Sequence, residues 1–273
     1  MNLKFKLLYF LSANILKANK KFNNLHSGES CYIFGNGASI KYLDLNLFND
    51  RVSIGCGSLF LHNDFKKLNL KYYYAAHPFF FYKYWWNPYK KKYEKNKCGN
   101  LYRENIESNS HVEYFVNLSN FFGLRGSNIN YLHHFGSFSS NPPKIELDSL
   151  FSTMDGSLSG MLGLAIYMGF KKITLVGCDY TLRPRSQGHF FEFGKFKDSI
   201  ENDTFAESLL SYVANKVDLE TLTVDENYTG QIINHISYEK LFLSKPRYKE
   251  NKDIVSINNL IALNDVNLEY KIY

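Results

Sequence analysis

His189 lies three residues before Glu192 in the run Gln187-Gly-His-Phe-Phe-Glu192, and this pair has the chemistry of proton-transfer machinery. A histidine accepts a proton near neutral pH, and a carboxylate at this spacing can orient the ring or take over its role. A plain loop histidine bonded to a backbone carbonyl is the competing reading. Just upstream, Arg183 and Arg185 carry guanidinium forks that match carboxylates and phosphates; a solvated charged loop would use the same residues. Asp179 follows Gly177 and Cys178 at the end of an apolar run. A carboxylate placed there is expected to be buried, and a buried charge needs a partner.

Small and polar residues recur at other strand ends. Gly35-Asn36-Gly37-Ala38-Ser39 follows Cys31-Tyr-Ile-Phe34, so the backbone can turn tightly and approach a phosphate, with Ser39 capping a short helix. Gly57 and Ser58 follow the strand Arg51–Ile54, and His77 follows Lys71–Ala76. Ser157, Ser159 and Gly160 open an apolar helical run through Met168, where backbone N–H groups and hydroxyls can hold an anion. Gly169 ends that helix as a cap residue does, and Ile173–Val176 reads as a central parallel strand. Several strand ends therefore supply one crevice, the place where open α/β sheets bind ligands. The fold class expected is α/β: a Rossmann-like single domain with a mostly parallel sheet flanked by helices, plus an N-terminal helix and an irregular lid or acceptor region.

The domain plan is an N-terminal basic amphipathic helix and linker over 1–29, the Rossmann-like unit over 30–229 and a C-terminal packing segment over 230–273. Residues 79–150 are expected to form a lid or acceptor excursion. Phe79–Lys97 mixes Trp85, Trp86 and Tyr89 with Lys90–Lys92, and reads as a helix packed on the sheet or as a membrane-facing flap. Ser119–Leu147 has weak periodicity and reads as a long, partly ordered stretch. His133-His134 within it has no third ligand at metal spacing. His111–Val116 reads as a strand, Asp203–Lys216 as an amphipathic helix, Leu219–Val224 as an edge strand and Ser237–Phe242 as a short helix.

Composition narrows the function. A net charge of +6 over 273 residues fits an acidic ligand or an anionic membrane surface, and no nucleic-acid motif accompanies it. Cys31, Cys56, Cys98 and Cys178 are too widely spaced for a metal knuckle, so a reduced, cytoplasmic setting is expected. Met1–Phe22 is too interrupted by lysines to span a bilayer. It reads either as a helix lying on the cytoplasmic face of the inner membrane or as one packed on the domain or a partner subunit.

Taken together, the Gly35–Ser39 turn, the Ser159-Gly160 helix start and Gly177-Cys-Asp-Tyr180 resemble the small bacterial sialyltransferases of lipooligosaccharide synthesis, and related domains in capsule, lipopolysaccharide and flagellin glycosylation. The resemblance spans about residues 30–225. It implies a glycosyltransferase with no cofactor and no essential metal, which moves a nonulosonic acid from a CMP-activated donor to a hydroxyl of an oligosaccharide or lipid-linked glycan. It places Asn36 and Gly37 on the cytidine nucleotide and Ser58 near the ribose or phosphate. Ser159 and Gly160 would hold the nucleotide or donor carboxylate, Asp179 would support a ring, and Tyr180 or Tyr32 would serve the leaving phosphate. The chain departs from the family at Gly57 and His77, where asparagines are expected, and it has no histidine at the family's spacing; His189 is the nearest candidate base. A homo-oligomer would fit this class of protein. Two other readings are a non-catalytic nucleotide-sugar-binding scaffold and a Mg-dependent pterin-type pyrophosphokinase, which would need a carboxylate cluster not evident here.

Overall fold

Cys31, Tyr32, Ile33 and Phe34 are buried on alternating sides of one short segment, which is what a strand covered on both faces requires. The computed structural model describes residues 10, 12–81, 97–133, 144–152, 156–182, 185–199, 204–226, 228 and 232–266. It places that segment near the middle of a wholly parallel eight-stranded sheet. The strands in chain order are β1 (Ser30–Phe34), β2 (Val52–Cys56), β3 (Leu70–Ala75), β4 (Glu113–Asn117), β5 (Ile129–Leu132), β6 (Lys144–Ile145), β7 (Phe151–Ser152), β8 (Lys172–Val176), β9 (Arg185–Gln187), β10 (Lys197–Ser199), β11 (Asp218–Thr223) and β12 (Asn234–Ser237). The sheet runs β12-β11-β8-β1-β2-β3-β4-β5, while β6/β7 and β9/β10 are separate two-stranded antiparallel pieces.

The order reverses once. The chain moves outward from β1 to β5, then returns to lay β8 against the other side of β1, with Cys31 opposite both Val52 and Ile173. This α/β arrangement is Rossmann-like, and the gap between β1 and β8 at their carboxyl ends is its switch point.

Alternation along the strands divides the core. Cys31, Ile33, Tyr72, Tyr74 and Phe115 face the helices Ser157–Tyr167 and Thr204–Ala214. Tyr32, Phe34, Tyr73 and Tyr114 face the opposite layer, which holds the helices Lys97–Ser108 and Ile257–Val266. Tyr32 is thus a core residue under the Arg51 guanidinium, 5.0 Å from its ring centre, and has no access to a leaving phosphate.

Other expectations change. Residues 12–17 are helical and lead into a 3-10 turn, Ala18–Phe22, that packs on the domain. Asn19 donates from Nδ2 to the carbonyls of Tyr131 and Leu147, at 2.8 Å each, and Phe22 enters the core against Phe115. Residues 1–9 and 11 lie outside the described residues. The stretch expected to be irregular after Ser119 contributes β5, whose residues are all buried. Leu219–Val224 is not an edge strand, because β12 pairs outside it. Ser237 caps the helix Tyr238–Phe242, its hydroxyl accepting the Lys240 N–H at 3.3 Å. Trp85, Trp86, Tyr89, Lys90–Lys92 and His134 lie outside the described residues. Among the described residues, no helix is long and apolar enough to cross a membrane.

Candidate functional site

The switch point brings together two strand-end turns that are 140 residues apart. Gly35 N–H donates to Val176 O at 2.8 Å and Gly37 N–H to Gly177 O at 2.7 Å, so the turn after β1 is a continuation of its pairing with β8. Gly177 has φ +63, which turns the chain sharply after β8 and aims Asp179 under the first turn. Gly37 is required by space: a Cβ there would lie 2.4 Å from Asp179 Cγ and 2.5 Å from Oδ2.

Asp179 is 2% exposed. Its Oδ2 accepts the Ser39 N–H at 2.7 Å and its Oδ1 accepts the Ser39 hydroxyl. Ser39 is therefore not a helix cap; it sits inside the 3-10 helix Ala38–Tyr42 and holds Asp179 in place. Burial pushes the Asp179 carboxyl up to about 6, against the Ser39 bonds and the nearby His189, which favour the charged form.

A third segment lies across these two. Ala38 N–H donates to Gly188 O at 3.1 Å and Phe190 N–H to Asn36 O at 3.0 Å, so Gly37 and His189 face each other as an antiparallel bridge. His189 Nδ1 lies 2.5 Å from Glu192 Oε1, the ring stacks on Phe191 at 5.0 Å, and the Glu192 N–H donates to His189 O at 3.0 Å. Both side chains are about one-quarter exposed or less, at 26% and 20%. The expected pair is therefore assembled, and beside Asn36–Gly37.

Tyr180 is 44% exposed at the mouth, its hydroxyl near the Gly188 backbone. Burial, Glu192 and Asp179 all push it above the ordinary phenol range. Arg185 packs over the Tyr180 ring at 5.6 Å and donates to the Tyr180 carbonyl at 3.3 Å, so it belongs to the rim. Arg183 lies outside the described residues.

The floor is made by Asn36, Cys56 and Ser157. Asn36 Nδ2 sits 3.6 Å from the Cys56 thiol, which also meets the Ser157 hydroxyl. Gly57, at φ +59, leaves room for the Asn36 amide, which a Cβ would approach to 2.1 Å. Asn36 Oδ1 is buried and meets no donor among the described residues. In a packed interior such an oxygen is costly unless a ligand or water completes it. Ser58 begins the 3-10 turn Leu59–Leu61 beside this floor.

Ser159 and Gly160, expected to hold an anion, also have packing roles. Ser159 is buried and its hydroxyl donates to Gly156 O at 2.9 Å. Gly160 lets the helix approach β3, since a Cβ would lie 2.2 Å from Tyr74 Cζ. His77 is exposed at the end of β3, its carbonyl accepting from Asn120 at 2.9 Å, and no contact joins it to the His189 group. Cys56 is the floor residue that sequence reasoning left in the core; its place at the end of β2 was the available signal. Among the described residues, no group of three or more His, Cys, Asp or Glu side chains is arranged to hold a metal ion. A cleft of about 330 Å³ lies elsewhere, between Phe60, Lys66 and Glu104, away from this site.

No protein-family model matches the chain, and no curated protein matches it significantly. Among solved structures, it is similar to the MAf glycosyltransferase from Magnetospirillum magneticum AMB-1, with 14% identity and a TM-score of 0.43. The alignment covers 96% of this chain and 42% of that one, so this chain spans less than half the length of that protein. A likeness at this level carries no functional argument, and the proposal below rests on this chain's own residues.

Proposed function

We propose that this protein is a glycosyltransferase that moves a nonulosonic acid from a CMP-activated donor to a hydroxyl of a cell-surface glycan, without a metal ion. The observation that carries the reading is the His189–Glu192 pair, at 2.5 Å, held directly over the Asn36–Gly37 turn at the switch point. In this reading Glu192 holds Nδ1 of His189, and Nε2 takes the proton of the acceptor hydroxyl as its oxygen attacks the donor's anomeric carbon. The bond from that carbon to the phosphate oxygen breaks, and CMP leaves with its electron pair. Asn36 Oδ1, buried and unmatched by any donor among the described residues, accepts from the nucleotide. In this reading the Tyr180 hydroxyl, at the mouth, meets the charge that grows on the phosphate. A single phosphate leaving group carries less charge than a diphosphate, which lowers the need for a divalent ion.

Thermal melting with CMP, CDP, UDP, GDP and ATP, each with and without EDTA, tests this. CMP at 100 times its dissociation constant adds about 2.7 kcal/mol, a rise of a few degrees. The expected result is a CMP shift indifferent to EDTA, followed by turnover of a CMP-nonulosonate donor that His189→Ala abolishes. A Mg-dependent shift with ATP alone would overturn the proposal, and CMP binding without turnover of any donor would identify a scaffold.

A further inference from the structure

Lys41 is the only lysine or arginine among the described residues that is buried, at 0% exposure. It follows the Gly35–Ser39 turn in a short run, Ile40-Lys-Tyr42, where an apolar side chain would cost less to bury. Its Nζ donates to the backbone carbonyls of Glu192 and Gly194. Those two oxygens bracket the turn that carries Glu192 away from His189. The same lysine's carbonyl accepts the Lys249 N–H at 2.9 Å, and the Tyr42 carbonyl accepts the Arg247 N–H at 3.1 Å. Asn251 Nδ2 then donates to Phe191 O at 2.9 Å. Three distant segments thus meet around Lys41: the turn after β1, the His189 loop and the C-terminal stretch. Burial pulls the Lys41 amine below its ordinary value, and Glu250 and Glu192 partly offset this by favouring the ionised form.

One residue, Glu192, is gripped at both ends: Lys41 holds its carbonyl and His189 meets its carboxylate. Moving the carbonyl moves the carboxylate. We propose that Lys41 is a positioning residue, whose ammonium closes the Glu192–Gly194 turn and so fixes the Glu192 carboxylate on Nδ1 of His189. This rests on the reading of His189 as the base. A reacting group displaced by about 1 Å can lose on the order of 100-fold in rate, so Lys41→Met should lower kcat about that far while leaving nucleotide binding nearly unchanged.

The test uses the full chain labelled with 15N-histidine, at alkaline pH, as wild type, Lys41→Met and Lys41→Arg. The wild type should show His189 as one neutral tautomer with its proton on Nδ1. Lys41→Met should show mixed tautomers, Lys41→Arg should restore the single one, and the CMP affinity of each should stay within about threefold. A folded Lys41→Met protein with the wild-type tautomer overturns the proposal. Failure of all three proteins to bind CMP, with the tautomer change present, overturns the functional reading and leaves the positioning role standing. If Lys41→Met does not fold, the wild type decides. A slowly exchanging Lys41 ammonium signal coupled to the Glu192 and Gly194 carbonyl carbons supports the role, and its absence overturns it.

Discussion

Replacing Asp179 by Asn should change how stability depends on pH, and the direction follows from the site. An unfolded aspartate titrates near 3.8, whereas burial holds the folded carboxyl up to about 6. Between those values the native state keeps a proton that the unfolded chain has lost. Stability therefore falls as pH rises through that window, then levels off above about 6. At about 1.36 kcal/mol per pH unit the gap amounts to about 3 kcal/mol. The asparagine carbonyl can still accept the Ser39 N–H, so the variant keeps the turn while losing the titration. His62 complicates the wild-type curve. Burial lowers it from 6.5 to about 4, so its contribution is lost as pH falls through nearly the same window. The two slopes oppose each other, and His77 and His133, also lowered by burial, add to the His62 side, so the wild-type curve alone does not isolate Asp179. Urea unfolding followed by circular dichroism at pH 4, 5, 6, 7 and 8, reported as wild type minus Asp179→Asn, cancels the His62 contribution. The difference should fall by about 3 kcal/mol from pH 4 to pH 7. Parallel curves, or a wild type that gains on the variant as pH rises, would refute the claim that burial outweighs the Ser39 bonds.

Three further outcomes are expected. Relative to His62→Gln, the wild type should lose about 3 kcal/mol on acidification from pH 6.5 to about 4, by the same urea series; identical acid limbs would count against a neutral buried His62. Gly37→Ala places a methyl 2.4 Å from Asp179 Cγ, and should cost about 1–3 kcal/mol and abolish the CMP-induced rise in melting temperature. An unchanged melting point with CMP still binding would show that the turn yields. Alanine normally stabilises a helix relative to glycine by about 1 kcal/mol, yet Gly160→Ala should destabilise this one by roughly 1–3 kcal/mol. Combined with Tyr74→Ala the added penalty should shrink, and simple additivity in the double variant would contradict the close approach.

The sequence disclosed the centre of the sheet better than its borders. β1, β2, β3 and β8 are short apolar runs followed by glycine or small residues, and that signal is local. β5 and β12 (Ile129–Leu132 and Asn234–Ser237) include polar residues and lack a clean alternation, so their place depends on the strand beside them. The candidate base and its carboxylate were legible because they lie only three positions apart. The partner of Asp179 was not, because Ser39 is 140 residues away and its hydroxyl looked like an ordinary cap. Ser159 and Gly160 are ambiguous for a related reason: small residues at a helix start serve a ligand and a close tyrosine equally well. Lys41 gave a faint signal, a lysine inside an apolar run.

The return of the chain to β1 also has a cost during synthesis. β1 and β2 leave the ribosome early, but the strand that covers the other edge of β1 begins at Lys172, roughly 115 residues later. At about 5–20 residues per second, Cys31–Phe34 waits roughly 6 to 23 s with unpaired backbone groups facing outward. Every nascent copy must be kept from pairing with its neighbours on the same message during that interval. Slow codons between β5 and β8 would lengthen the wait, so yield in a foreign host should respond to codon choice there more than at either end of the gene.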